Sequence, residues 1–328
     1  MKVGLAFDGT LSTPEMVEIV RLVEQTGLDS IWMAEDFFYR DSVSTASAFM
    51  AHTQRIQVVP FFTAYTRHPV ISAMTLAALD EGAGRERLMM ALGTGSPLSL
   101  RQMGINRERP LTRMREYVEI VRALLDGQRL RYDGTGYRID GVQLDFKPAR
   151  PRIPIYLAAM RPRMIELGGQ IADGLLLSAG ASAPYVRAAA DRARRSAQAA
   201  GRSQDEVAMA SFLIACVTTT VDDDVLEETR LTMGYLLRNP GFKEIIKQTG
   251  VSVDQPAFET AYQARDQERI KHMVTSEMLD AFAIVGSSEH YHKRLDEFQQ
   301  AGLDHAVLLP VGDANAHKAV VEVAEAWR

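Results

Sequence analysis

A chain of 328 residues with 46% hydrophobic and 24% charged residues has the composition of a globular protein that buries a large core, which excludes disorder as its main state. Its 37 Lys and Arg against 42 Asp and Glu leave a net charge of −5, with no basic excess to hold a polyanion, so nucleic acid is not expected as a partner. The lone cysteine, Cys216, excludes an intrachain disulfide and any cysteine-rich metal or iron–sulfur centre, and it suits a reducing cytoplasm. The opening run Val3-Gly4-Leu5-Ala6-Phe7 is too short for a secretory leader, and charges interrupt every long apolar segment. A soluble protein without a membrane partner is expected.

Short apolar runs at 3–7, 28–33, 56–61, 87–92, 153–157, 174–178, 207–217 and 304–309 predict eight strands. Helical spacing occupies 14–26, 43–52, 69–81, 111–126, 162–171, 183–200, 287–301 and 313–327. The first of these helices carries Ser12 or Thr13 as a cap, Pro14 in its first turn and Gly27 as its stop. Eight strands in β/α alternation predict an α/β protein, a closed (β/α)8 barrel forming a single domain over 1–328. Two segments break the alternation. Residues 127–150, with Gly127, Gly134, Gly136 and Gly141 among Tyr132, Tyr137 and Ile139, predict a hairpin insertion. Residues 222–283 predict a helical insertion over one end of the barrel, with Asp222-Asp223-Asp224 at a helix N-terminus. An open doubly wound sheet shares the alternation, but Gly93-Thr94-Gly95 is followed by Leu98 instead of a third glycine and stands in mid-chain, so the dinucleotide fingerprint is missing.

In such a barrel the working residues lie at the C-terminal strand ends. After the second strand, Glu35 and Asp36 sit among Trp32, Phe37, Phe38 and Tyr39, a setting in which acids hydrogen-bond a heterocycle and rings cover it, or in which a loop acid simply forms a salt bridge. After the third strand, Thr66, His68 and Pro69 lead into a helix, with His68 read as a capping or packed residue before a catalyst. Gly93, Thr94 and Gly95 let a ligand approach the backbone, or make a tight turn. Small residues in two consecutive loops, Ala158-Ala159-Met160-Arg161 and Ser178-Ala179-Gly180, are the makings of a phosphate site to which Arg161 adds charge, the alternative for Arg161 being a solvated surface residue. His290 and His292 diverge on a helix by ~200° and do not form a chelating pair, so no metal site is expected.

Taken together, these segments resemble the luciferase-like monooxygenase superfamily of flavin and deazaflavin enzymes, and within it the coenzyme F420-dependent methylenetetrahydromethanopterin reductases and their relatives. The resemblance spans almost the whole chain. It is carried by Gly27-Leu28-Asp29-Ser30-Ile31-Trp32-Met33-Ala34-Glu35, Tyr65-Thr66-Arg67-His68-Pro69, Leu92-Gly93-Thr94-Gly95, Ile153-Pro154-Ile155-Tyr156-Leu157-Ala158-Ala159, Ile171-Ala172-Asp173-Gly174 and Ala281-Phe282-Ala283-Ile284-Val285-Gly286.

The resemblance implies F420 at the barrel mouth, or FMN in the alternative, with Glu35 near the ring, Thr63 facing the pyrimidine edge and a non-prolyl cis peptide at Pro60-Phe61 backing the ring. It places phosphate at Ala158 to Arg161 and Ser178 to Gly180. The chain departs from its relatives in carrying Glu35-Asp36 in place of Asp-His, Arg161 in place of Gly, and Ser96 where several carry an acid. The implied activity is hydride transfer between F420 and a small organic substrate by a cytoplasmic homodimer, with Glu35 and Asp36 as candidate catalytic residues and 222–283, including Met233, Tyr235, Phe242 and Phe258, as a lid. An FMN-dependent monooxygenase is the first alternative, and a barrel that has lost catalysis and serves as a binding subunit is the second.

Overall fold

The computed structural model describes residues 1–84, 86–218 and 224–327. The chain runs through β1 (Lys2–Phe7), α1 (Thr13–Gln25), β2 (Ser30–Met33), α2 (Ser42–Ala51), β3 (Gln57–Thr63), α3 (Pro69–Ala83) and β4 (Met90–Gly93). It continues with α4 (Pro97–Gln102), α5 (Pro110–Leu125), β5 (Leu130–Asp133), β6 (Arg138–Val142), β7 (Ile155–Ala159), α6 (Pro162–Ile171), β8 (Gly174–Leu177), α7 (Ala183–Ala199) and β9 (Ala208–Val217). A helical stretch follows, α8 (Asp224–Leu237), α9 (Lys243–Lys247), α10 (Gln255–Gln263), α11 (Gln267–Met273) and α12 (Ser276–Phe282). The last elements are β10 (Ala283–Gly286), α13 (Ser288–Gln300), β11 (His305–Pro310) and α14 (Ala314–Ala326).

Eight strands close in the order β1-β2-β3-β4-β7-β8-β9-β11, with β11 returning to β1, and every pairing in the ring is parallel. These are the eight expected strands. A ninth, β10, pairs with the last residues of β9 outside the ring. The expected cap at Asp222 and Asp223 lies outside the described residues, and Asp224 opens α8. Helix α1 shows how local chemistry sets the element ends: Ser12 accepts from the Glu15 N–H, the Glu15 carboxylate accepts from the Ser12 N–H at 2.8 Å, and Pro14 occupies the first turn.

Strand alternation divides the apolar residues into two sets. One faces the helices and forms the main core; the other fills the lumen with Ala6, Trp32, Val59, Met89, Ala91, Tyr156, Leu176, Ala210, Phe212 and Val307. The indole of Trp32 meets Tyr156, Phe212 and His305 edge-on, with centroids 5.8, 6.1 and 5.5 Å apart. Below it, Ser30 Oγ accepts from Trp32 Nε1 at 2.7 Å and lies 2.8 Å from His305 Nε2, so the polar atoms of this plug satisfy one another. Gly4 sits where any Cβ would collide with Ser30 Oγ.

The cis peptide expected at Pro60-Phe61 is not found: the peptide bonds of the described residues are all trans. Phe61 instead continues β3, its N–H donating to Ser42 Oγ at 2.8 Å and its register running opposite Ala91 of β4. The trans bond keeps that ladder intact and avoids the ~3 kcal/mol that a cis bond before a non-proline residue costs.

Within 127–150, β5 and β6 pair antiparallel as a hairpin. Its turn is held by a buried acid, Glu116 of α5, which accepts the N–H groups of Thr135 and Gly136 at 2.8 Å and of Tyr137 at 3.1 Å. Tyr137 then donates its hydroxyl to the Ala64 carbonyl at 2.8 Å, tying the hairpin to the end of β3. Glu116→Ala leaves three N–H groups without their acceptor, and a loss of ~3 kcal/mol is expected in urea denaturation. A midpoint equal to the wild type would show that the turn holds without that carboxylate.

Candidate active site

With the lumen plugged, the C-terminal rim is where loops from several strands meet and where such a barrel does its chemistry. On the β1–β2 side the inward alternation of Gly4 and Ala6 leads to Asp8, and that of Ser30, Trp32 and Ala34 leads to Asp36. Asp8 Oδ1 is fixed by the N–H and hydroxyl of Thr10 at 2.9 and 2.6 Å. Asp36 is open to solvent, with protein crowded around the rest of it. That crowding, reinforced by the negative charge of Asp8, pushes its carboxyl up to about 6.

Glu35 turns the other way, toward β3. Its Oε1 is 3.6 Å from Arg67 Nε, and Arg67 also pairs with Asp41, the N-cap of α2. Its Oε2 is buried, and so is Thr63 Oγ1. Burial raises the Glu35 carboxyl above its ordinary range, outweighing the attraction of Arg67 and the hydrogen bonding of the Thr63 hydroxyl and N–H. Glu35 and Thr63 thus lie against each other at the end of β3, with neither Oε2 nor Oγ1 in a well-formed hydrogen bond.

The rest of the rim is more closely packed than its composition implies. A Cβ at Gly93 would stand 2.5 Å from Phe61 Cζ and 3.3 Å from the Ala158 methyl, so the missing side chain makes room for the Phe61 ring. At Gly95, where φ is +69°, the neighbours are the Thr63 methyl at 2.8 Å and Phe37 at 3.0 Å. Phe38 and Tyr39 remain 69% and 60% exposed beside them. Thr94 Oγ1 accepts from Arg107 at 2.8 Å, and Ser96 caps α4 through the Ser99 N–H.

The loops after β7 and β8 meet the helical insertion. Gly241 lies against Met160 Sδ, and Gly180 lies beneath Phe242, with Met233 next to it. Met233, Phe242 and Phe258 are buried and Tyr235 meets Tyr262 edge-on, with Phe242 and Met233 packing on the barrel at Gly180. Ser178 and Ala179 stay partly exposed, while Arg161 is exposed at the start of α6 and makes no side-chain cap.

Of the residues singled out from sequence, Glu35, Asp36, Phe61, Thr63, Gly93, Thr94, Gly95, Ala158, Met160, Arg161, Ser178, Ala179 and Gly180 thus gather at one rim. The side chains of Pro60 and Ala159 do not, because alternation turns them toward the helices. His68 is a cap: its Nδ1 accepts from the Val70 N–H at 3.3 Å and its ring meets Tyr137 edge-on. Sequence reasoning missed Asp8, Arg67 and Arg107. Extending the period-two pattern one residue past β1 finds Asp8, whereas no local signal marks Arg67 or Arg107 as neighbours of the site. Among the described residues no group of His, Cys, Asp and Glu is arranged to hold a metal.

Comparison with known proteins gives the family. The model of the luciferase-like monooxygenase family matches residues 5–305. The chain belongs to that family and is an oxidoreductase of its kind. It is 29% identical over 322 residues, 95% of its length and 94% of the relative's, to 5,10-methylenetetrahydromethanopterin reductase of Archaeoglobus fulgidus. The fold superposes with a TM-score of 0.87 on the coenzyme F420-dependent tetrahydromethanopterin reductase of Methanopyrus kandleri, at 22% identity with both chains fully covered. It superposes with 0.79 on an F420-dependent secondary alcohol dehydrogenase in complex with an F420-acetone adduct, at 20% identity and again over all of both chains.

Asp8→Asn removes the charge that disfavours ionisation of Asp36. The Asp36 carboxyl, followed by carbon-13 NMR, is expected to titrate near 6 in the wild type and below that in the variant. An unmoved midpoint would separate the two groups.

Proposed function

We propose that this protein is an F420-dependent oxidoreductase that moves a hydride between the deazaflavin and a small organic substrate. The observation that carries this reading is the mostly buried Glu35 carboxylate, paired with Arg67 and set against Thr63 beside the wall formed by Phe61 and Gly93. A planar heterocycle with an N–H and a carbonyl on one edge satisfies a carboxylate and a hydroxyl together, so these residues fit the coenzyme. F420 is the coenzyme named for both the superposed reductase and the superposed alcohol dehydrogenase.

The deazaflavin supplies two-electron hydride transfer at its ring carbon and reacts poorly with oxygen. The chain's own residues orient it, exclude water and handle the proton. Arg67 holds Glu35 through Oε1 and leaves Oε2 to accept from the ring edge. Asp36 keeps its proton up to about 6 and lies where a substrate enters, which makes it the group to give or take the substrate's proton. The backbone of Ala158 to Arg161 and of Ser178 to Gly180 receives the coenzyme's phosphate, and the helical insertion packed on Met160 and Gly180 serves as the lid that keeps water out. Ile71 and Met74, exposed on one face of α3, support a homodimer, and the lone buried Cys216 supports a cytoplasmic setting.

FMN in the same mouth would instead make the protein a monooxygenase. Fluorescence titration of the purified protein with F420 and with FMN separates the two. Saturable binding of F420 in preference to FMN is expected, and Glu35→Gln is expected to weaken it roughly tenfold through loss of a charge-assisted hydrogen bond. Preference for FMN would replace the reading, and binding of neither would leave a barrel without a coenzyme.

A further inference from the structure

Just past β2 the chain makes a tight turn at the rim. The Tyr39 N–H donates to the Asp36 carbonyl at 3.2 Å, closing a four-residue turn whose third residue is Phe38. Phe38 has φ +76°, in the left-handed region where turns take glycine or asparagine and where a bulky side chain is strained. The other non-glycine residues with positive φ among those described, Glu86, Arg109 and Arg265, are exposed and charged, so Phe38 alone joins that backbone to an apolar side chain. The turn is held from both sides. On one, the Phe37 ring lies against Gly95, beside the Thr63 methyl. On the other, Arg40 Nη1 donates to the carbonyls of Gly9 and Thr10 at 2.8 and 2.9 Å, and a Cβ at Gly9 would stand 3.2 Å from Tyr39 Cβ.

The strained backbone does not bury its ring. Phe38 and Tyr39 are the two most exposed large apolar side chains of the described residues. A left-handed phenylalanine and a solvated ring are both unfavourable, and burial in the core offsets neither, so the conformation points to something the ring meets at the rim. The Phe38 ring lies 6.5 Å from that of Phe37, centroid to centroid, and is inclined to it by 49°. The rings therefore run outward from Thr63 and Gly95 through Phe37 to Phe38. The inner end of that row adjoins Thr63, against which Glu35 lies, and the turn itself opens on Asp36.

We propose that Phe38, with Tyr39 beside it, determines substrate specificity: the two rings form a platform for a flat apolar group, such as an aromatic ring, carried by the substrate outward of its reacting carbon. The proposal rests on the F420 reading for where that carbon lies, and it narrows the small organic substrate of that reading to one with an aromatic part. Offset or edge-on contact with an aromatic group covers the exposed Phe38 ring and gives the strained turn its use.

The test titrates naphthyl methyl ketone into the protein loaded with oxidised F420, with adamantyl methyl ketone as the counterpart that is not flat. Ring signals of carbon-13-labelled phenylalanine are followed, Phe38 being assigned with Phe38→Leu. The Phe38 signal is expected to shift saturably with the naphthyl ketone, and the adamantyl ketone is expected to bind at least about tenfold more weakly. The naphthyl ketone is expected to bind Phe38→Gly at least about tenfold more weakly than the wild type, and Phe38→Tyr like the wild type. Because glycine suits this backbone, Phe38→Gly is also expected to raise the urea midpoint, opposite to its effect on binding. Equal naphthyl-ketone affinity in the wild type and Phe38→Gly, or a glycine variant that loses stability along with binding, would overturn the platform. A changed oligomeric state of that variant in sedimentation would overturn it too, giving the ring to a contact between copies, and ketone binding that F420 abolishes would give the ring to the coenzyme. The same titration without F420 separates the two readings. Binding at Phe38 in a protein that takes up no F420 sustains the platform and defeats the coenzyme reading, whereas F420 binding with a ketone affinity indifferent to Phe38 does the reverse.

Discussion

The plug of the barrel lumen is the constraint on which the rest depends. Trp32 can be central only because Ser30 takes its N–H, because His305 completes the hydroxyl, and because Gly4 leaves space for that hydroxyl. Removing any one of these leaves a buried donor without a partner or a collision in a packed interior. Once the plug is in place the barrel is solid, and chemistry is confined to one rim. The strand ends above the plug then inherit their orientation from it: period-two alternation that begins at Ser30 and Trp32 decides that Asp36 looks into the mouth and that Glu35 looks toward β3.

Two neighbouring carboxyls therefore experience different environments. Glu35 is buried and half-neutralised by Arg67, with one oxygen held and the other waiting; Asp36 is reachable by solvent but sits beside Asp8. Both shifts run upward, for burial in the first place, but only Asp36 has a second acid as its next cause. A carboxyl that binds a ring edge and a carboxyl that exchanges a proton need this kind of separation, since a single environment serves one task at the expense of the other.

The fold was legible because a parallel barrel writes itself in short apolar runs with helices between, and all eight ring strands fall within a few residues of those runs. The hairpin was legible from its glycines and tyrosines. β10 was not, since four residues added to the outer end of β9 look like the end of a helical stretch. Within the site, residues adjacent to strand ends could be read directly. Arg67 and Arg107 could not: one acts through Asp41 and Glu35, which a loop brings back, and the other through Thr94, thirteen residues before it in the chain. Pro60 entered the reading through the cis peptide that the resemblance implies, whereas the bond is trans and alternation along β3 turns the ring away from the lumen.

The glycines of the rim make a related point about what a missing side chain means. A ligand-binding reading treats each as space left for the ligand, yet Gly93 is filled by Phe61, Gly95 by Thr63 and Phe37, and Gly180 by Phe242. In each case the small residue lets an aromatic ring from another segment come close, so the rim is assembled by interlocking segments whose walls are rings. The two insertions extend this arrangement from opposite sides: Tyr137 of the hairpin ties down the end of β3, and Phe242 of the helical insertion rests on the end of β8. A mouth walled in this way has fixed sides and few free polar atoms. Those that remain near the end of β3, Glu35 and Thr63, are then groups that help decide what binds.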